Sequence, residues 1–156
     1  MATNMRNESV IEQWSTIVEG GAGQDKRIMG DVIKYITEAK IPHTTFVRDE
    51  CQMGMFGPKR DMLILKNEHL REYRVFMGAR DYGSALDVSW FLTYVPYGLR
   101  RKVTAQNLDL FTQQDLRAFA SLSLHCMKSA IEVLCEELQQ TPQGLNSAST
   151  GFLQVW

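Results

Sequence analysis

The chain has 156 residues, of which 44% are hydrophobic and 22% are charged, and its formal net charge is −1. This composition excludes an intrinsically disordered chain, which would be poorer in apolar residues, and a strongly basic nucleic-acid-binding domain. The length is typical of one domain, which buries about 70% of its unfolded surface and needs no disulfide or metal to form a core.

The cysteines and the first residues favour a reducing compartment. Cys51, Cys126 and Cys135 are odd in number and lack the spacing of a disulfide framework or a zinc site. Residues 1–8 contain no apolar signal segment, and we find no apolar run long enough to span a bilayer. We therefore expect a cytoplasmic protein with no membrane contact, no cofactor and no bound metal.

Two amphipathic helices are predicted first along the chain. The segment Glu8–Glu19 carries a stripe at helical spacing, formed by Val10, Ile11, Trp14, Ile17 and Val18. Glycines at positions 20, 21 and 23 end this helix. A second helix is predicted over Gln24–Ala39, and Pro42 prevents its continuation.

An antiparallel meander of three to four strands is predicted next. Its segments are His43–Arg48, Asp61–Lys66, Leu70–Met77 and Leu86–Val95, with a hairpin loop over Gly78–Gly83. In the last strand alternate residues place one set of apolar side chains on a single face, namely Leu86, Val88, Trp90, Leu92 and Tyr94.

One long helix and a tail complete the predicted chain. Thr112–Asp115 resembles a capping box, and apolar residues then recur at helical spacing to Leu138. The whole pattern predicts an α+β two-layer sandwich over residues 1–140, with two N-terminal helices, the meander and one long C-terminal helix. Residues 141–156 are predicted to form a flexible polar tail with an apolar aromatic end.

The sequence shows no complete catalytic motif. Asp49, Glu50 and Asp61 lie near predicted strand ends, where turn formation is the simpler interpretation. Together with His43 they are the first place to look for acid–base catalysis, but no motif joins them. The sequence therefore favours a protein that is not an enzyme, with no catalytic residue assigned.

Cations and aromatic rings alternate along the last two predicted strands and their hairpin. This set predicts a binding surface, formed by Arg71, Arg74, Phe76, Arg80, Tyr82 and Phe91. Rings that stack on bases and arginines that contact phosphates are typical of single-stranded nucleic-acid binding. The basic run Arg100–Lys102 follows the sheet, but is too short to identify such a function.

The aromatic end of the chain suggests a different role. Phe152 and Trp156 are costly to leave in water, so the tail either folds back onto its own domain or anchors another chain. We therefore expect a non-enzymatic binding or adaptor protein that engages a protein partner or itself through the sheet face, the hairpin loop or the tail. The alternative is a protein that binds nucleic acid or an anionic ligand through the basic-aromatic strands.

Overall fold

The structure is a computed structural model that describes residues 2–95 and 108–156. Its two helices are α1 (Asp25–Ala39) and α2 (Leu110–Glu137). Seven strands belong to one sheet: β1 (Thr3–Asn4), β2 (Ser9–Val18), β3 (Thr44–Gln52), β4 (Lys59–Asn67), β5 (Tyr73–Tyr82), β6 (Ala85–Tyr94) and β7 (Thr150–Gly151).

The sheet is mixed, with the strand order β1-β3-β4-β5-β6-β2-β7. Strands β3 to β6 follow one another as antiparallel neighbours, and β2 pairs with β6 along nearly its whole length. The short β1 is parallel to β3, which makes the sheet mixed. The first long strand of the chain therefore lies beside the last long strand, and the short β7 pairs with the other side of β2.

The predicted fold is wrong in its first element and in the size of its sheet. The segment Glu8–Glu19, predicted as a helix, forms β2, so only one helix precedes β3. Trp14 and Val18 are four residues apart, a spacing that satisfies both a helical period and strand alternation. Val10 and Ile17 are instead about half exposed on the opposite face, and five β-branched residues in this segment favour a strand.

The predicted meander of three to four strands is likewise replaced by a seven-stranded sheet. The predicted hairpin loop over Gly78–Gly83 is mostly strand, because β5 continues to Tyr82. The turn is confined to Gly83 and Ser84, where Gly83 has a φ of 62°. Two-residue turns of this kind match the twist of the strands they connect.

Both helices pack on one face of the sheet and form the main core. The buried residues of α1 all belong to this core, namely Ile28, Met29, Val32 and Ile36. Helix α2 is long and apolar enough to cross a membrane by length and composition, but 61% of its most apolar window is buried inside the fold. Such burial is what a core helix shows.

The sheet curves around its opposite face. Residues 5–8 cross this face, and we call them the N-terminal strap. A flat sheet of this strand order would separate β1 from β2 by five strand spacings, about 24 Å. The five residue steps from Asn4 to Ser9 reach at most about 18 Å. The sheet must therefore curve around this face, where Met5 packs on a second core of Cys51, Met62, Ile64 and Phe76.

The C-terminal segment docks on its own domain. Leu153 and Val155 are about 1% exposed and belong to the main core. Thr150 and Gly151 pair with β2, and Gly151 sits so close to Ile11 and Glu12 that a Cβ there would lie 2.3 Å from the Ile11 carbonyl oxygen. Only glycine fits at this position, since its φ of 150° is also unusual for other residues.

Candidate functional site

Arg74 forms a partly buried ion pair, and Phe76 is buried. The Arg74 guanidinium pairs with the Glu8 carboxylate of the strap, whose side chain is only 2% exposed. The same carboxylate accepts a hydrogen bond from Thr93 Oγ1 at 2.5 Å. Phe76 is fully buried in the second core. The strap therefore covers the part of the face where these two residues lie, and desolvation lowers the pKa of Arg74.

The three arginines of the basic-aromatic set do not converge. Arg80 lies six residues beyond Arg74 on β5, which corresponds to about 20 Å. Its Nε donates to Asp87 Oδ2 at 3.0 Å, and its guanidinium lies over the exposed Tyr82 ring. Arg71 precedes β5 and donates from Nε to the Glu68 carbonyl. The basic run at residues 100–102 lies outside the described residues.

The aromatic residues of the tail lie on the surface beside the buried ones. Phe152 is 39% exposed and Trp156 is 67% exposed, while Leu153 between them is buried. In the tail, Leu153 therefore packs in the core, whereas Phe152 and Trp156 contact solvent.

The acids and the histidine named from the sequence lie at different places along the sheet. Glu50 and Asp61 are opposite each other across β3 and β4, whereas His43 precedes β3 and stacks on His69 at 3.8 Å between ring centroids. Six residues of strand, about 20 Å, separate His43 from Asp49. A hydrogen bond from Thr3 lowers the pKa of Asp49, which favours its charged form.

The cysteines of the described chain are buried thiols. Burial raises the pKa of Cys51 to about 11, with smaller contributions from the charges of Asp49 and Asp61. Cys126 and Cys135 lie in α2, where burial also raises the pKa of both thiols. A thiol must ionise to act as a nucleophile, and burial disfavours that ionisation in all three side chains. Among the described residues no group of three or more metal-binding side chains comes together.

One margin of the sheet is open, and we call it the β3 edge (Thr44–Arg48). β1 pairs only with Cys51 and Gln52, so no strand in the described part of the chain covers Thr44–Arg48. Phe46 is 40% exposed and Val47 is 48% exposed, on opposite faces of this edge. An open edge strand is a template for pairing with another chain.

The loop that follows β3 adds more exposed apolar surface. Met53, Met55 and Phe56 are 56%, 80% and 95% exposed. These side chains follow the end of β3 that β1 pairs with, so they are separate from the open Thr44–Arg48 segment. The sequence does not reveal this edge, because Thr44, Thr45, Phe46 and Val47 do not alternate and so give no signal of which face is buried.

A second opening lies between β4 and β5, and we call it the split cavity. The two strands pair only from Leu63–Met77 to Lys66–Arg74, and beyond Met77 they diverge. A cavity of about 710 Å³ opens there, and Arg80 and Phe91 of the predicted basic-aromatic set are among its lining residues. A comparison with protein-family models, curated proteins and solved structures found no match to this chain.

Proposed function

We propose that this chain is a non-enzymatic protein-binding module that pairs with a second copy of itself through the β3 edge. The single observation that carries this proposal is the open strand Thr44–Arg48, which is exposed on both faces and bears Phe46 and Val47. Antiparallel pairing of two such edges joins two sheets into one and removes both open margins.

The hydrogen-bonding groups of the β3 edge point toward solvent at alternate residues. In an antiparallel strand each residue directs both main-chain groups to the same side, and the next residue directs them to the other. The Gln52 carbonyl accepts from Met5 N at 2.9 Å on the outer side. Thr44, Phe46 and Arg48 have the same parity and the strand has no register shift, so their main-chain groups also face outward.

These outward groups define one favoured register. A two-fold axis at Phe46 places this residue opposite its own copy and places Thr44 opposite Arg48 of the second copy. All three residue pairs then exchange two main-chain hydrogen bonds each. A register centred on Val47 is poorer, because it pairs Thr44 with Glu50, whose N–H already donates to Asp49 Oδ1 at 2.8 Å.

The favoured register ends where other parts of the chain begin. His43 has a φ of 57°, so the backbone turns just before Thr44. β1 begins beside Cys51, three residues beyond Arg48. The second copy therefore leaves the sheet before it would reach β1. Phe46 contributes an aromatic pair at the centre of the contact, and cross-strand pairs of this type stabilise sheets by up to about 1 kcal/mol.

Light scattering after size-exclusion chromatography tests the proposal. We expect the mass of the full chain to rise from one copy toward two as its concentration increases. Phe46→Lys should remain a single copy, because a charge at the centre of the contact meets its own copy. The matched control is Ile17→Lys, a residue 47% exposed on β2, which should associate like the parent chain. A parent chain of one-copy mass throughout, or an unchanged dimer in Phe46→Lys, would contradict the proposal.

A further inference from the structure

The split cavity passes through the sheet where β4 and β5 separate. Beyond the Leu63–Met77 pair, β4 remains paired with β3 to Lys59, and β5 remains paired with β6 to Tyr82. The cavity is therefore lined by side chains from both faces and by the beginning of α1. Its volume of about 710 Å³ is in the range of sites that hold small organic molecules.

Apolar side chains form the inner wall of the split cavity. Met29 of α1 and Met62 of β4 are both buried and reach it from opposite faces of the sheet, and Phe91 of β6 is half-buried. Gly78 keeps the narrow end of the split closed around Met62, since a Cβ at Gly78 would lie 3.2 Å from Met62 Cε. Thioether and aromatic groups of this kind suit the apolar body of a ligand.

Cations slightly outnumber acids among the charged residues that line the cavity. Five basic and four acidic residues line the cavity: Lys26, Arg48, Lys59, Arg60 and Arg80, with Asp25, Asp61, Asp81 and Asp87. Two of the acids are engaged, since Asp87 pairs with Arg80 and Asp81 accepts from Gly23 N at 2.9 Å.

The remaining charges favour an anion. Lys59 pairs with Glu50 at 3.0 Å, whereas Lys26, Arg48 and Arg60 form no ion pair within the described chain. These three cations come from three different elements, α1, β3 and β4. Asp25 lies in the first turn of α1, where the positive end of the helix dipole offsets its charge.

We propose that the split cavity binds an anionic small molecule with an apolar or aromatic body. Lys26 and Arg60 contact the anionic group from the two sides of the split, and Met29, Met62 and Phe91 enclose the apolar body. Lys26 and Arg60 lie outside the β3 edge, whereas Arg48 both lines the cavity and belongs to that edge. A test that changes only Lys26 and Arg60 therefore leaves the self-association contact intact.

Fluorescence titration with anilinonaphthalene sulfonate tests this site, because the probe joins a sulfonate to aromatic rings. We expect saturable binding that weakens as salt is added. The double variant Lys26→Gln/Arg60→Gln should bind at least about tenfold more weakly, since hydrogen bonds to charged groups are among the strong ones. The matched control Lys34→Gln/Arg6→Gln removes two exposed cations outside the cavity and should bind like the parent.

Two further arms separate binding in the cavity from binding elsewhere on the surface. Phe56→Ser removes the most exposed aromatic side chain of the described residues and should leave the titration unchanged. A cationic aromatic dye of similar size should not bind. Probe binding that survives Lys26→Gln/Arg60→Gln, that is lost in Phe56→Ser, or that is matched by the cationic dye would overturn the proposal, as would absence of binding at low salt.

Discussion

The Glu12 carboxylate accepts a hydrogen bond from the main-chain nitrogen of Leu153 at 2.9 Å, and both residues are buried. Gln154 N donates to the other oxygen of the same carboxylate at 3.0 Å, and the Ser149 hydroxyl donates to it as well. The second strand of the chain thus holds the C-terminal segment through one side chain. The tail is ordered because its amides are the hydrogen-bond donors that this buried carboxylate requires.

Replacement of Glu12 by alanine should release the C-terminal segment. The buried amide of Leu153 and the partly buried amide of Gln154 would lose their acceptor, and an unsatisfied buried group costs about 1–3 kcal/mol. We expect a free energy of unfolding in urea that is lower by about 2–4 kcal/mol, together with rapid hydrogen exchange at both amides. Gln13→Ala, on the exposed face of the same strand, is the control. Slow exchange of both amides in Glu12→Ala would show that the carboxylate does not hold the segment.

The attachment of the strap to the sheet should depend on the Glu8 carboxylate. This carboxylate pairs with Arg74 and accepts from Thr93 Oγ1, which anchors the end of residues 5–8 on the curled face. Glu8→Ala leaves a partly buried guanidinium without its carboxylate, so we expect a loss of about 1–3 kcal/mol in the free energy of unfolding. The control is Asn7→Ala, an exposed neighbour. Equal stability of the two variants would show that Glu8 does not anchor the strap.

Ser123 should stabilise the fold because it accepts a hydrogen bond from Trp90, the largest fully buried side chain of the core. Trp90 Nε1 donates to Ser123 Oγ at 3.1 Å, which joins β6 to α2 inside the core. Ser123→Ala leaves the indole N–H without an acceptor, and we expect a loss of about 1–3 kcal/mol by thermal or urea unfolding. Ser129→Ala, a partly exposed serine of the same helix, should change stability by less than about 0.5 kcal/mol.

Stability should fall in alkaline solution. Burial raises the pKa of Cys51 from 9.0 to about 11 and that of Tyr73 from 10.0 to about 12. As the pH rises through this interval the unfolded chain loses these protons before the folded chain does, so unfolding becomes more favourable. Below about pH 8 both groups are protonated in both states and contribute no dependence.

Urea unfolding at a series of pH values measures this dependence. Each group contributes a slope of at most about 1.4 kcal/mol per pH unit, the Cys51 part between pH 9 and 11 and the Tyr73 part between pH 10 and 12. Cys51→Ala should flatten the curve between pH 9 and 11. The native thiol should also resist alkylation at neutral pH. Rapid alkylation of Cys51 in the folded protein would contradict its burial.

The periodic elements of the fold are accessible from the sequence. The pattern over Gln24–Ala39 corresponds to α1, and the apolar positions from Leu116 to Leu138 correspond to α2. This helix begins earlier than the predicted capping box, at Leu110, with Asp109 as its N-cap instead of Thr112. Strand β6 alternates between partly buried and buried residues from Ala85 to Leu92, because one of its faces meets the helices and the other is only partly buried there. In these segments the spacing of apolar residues in the sequence matches the face that the fold buries.

Other elements depend on contacts that no local pattern records. Strand β2 resembles a helix in sequence because a carboxylate, Glu12, occupies a core position and breaks the alternation. It is buried only because residues 149–154 return to it from the other end of the chain. The two-residue strands β1 and β7 are too short to carry a period, and the split between β4 and β5 is a difference in pairing.

The exposure of the predicted binding residues also depends on contacts that the sequence pattern does not record. The alternation predicts that Arg74, Phe76 and Phe91 share one face, which agrees with the strand parity. Arg80, predicted to lie on the hairpin loop, shares that face because β5 continues to Tyr82. The sequence does not show that the strap covers Arg74 and Phe76 and leaves the other two residues of this face beside the split cavity. Coverage by a distant segment decides which members of a face remain available to a ligand.

Cysteine cross-linking at the β3 edge tests the proposed self-association most directly. The cysteines of the described chain are buried, so a new surface cysteine reports only its own position. Opposite residues of a hydrogen-bonded antiparallel pair have Cα atoms about 5.5 Å apart, which a disulfide spans. We predict that Phe46→Cys forms a covalent dimer on mild oxidation, and that Thr45→Cys, placed opposite Val47 of the second copy, does not. A monomeric Phe46→Cys protein, or equal cross-linking of the two variants, would contradict self-association through this edge.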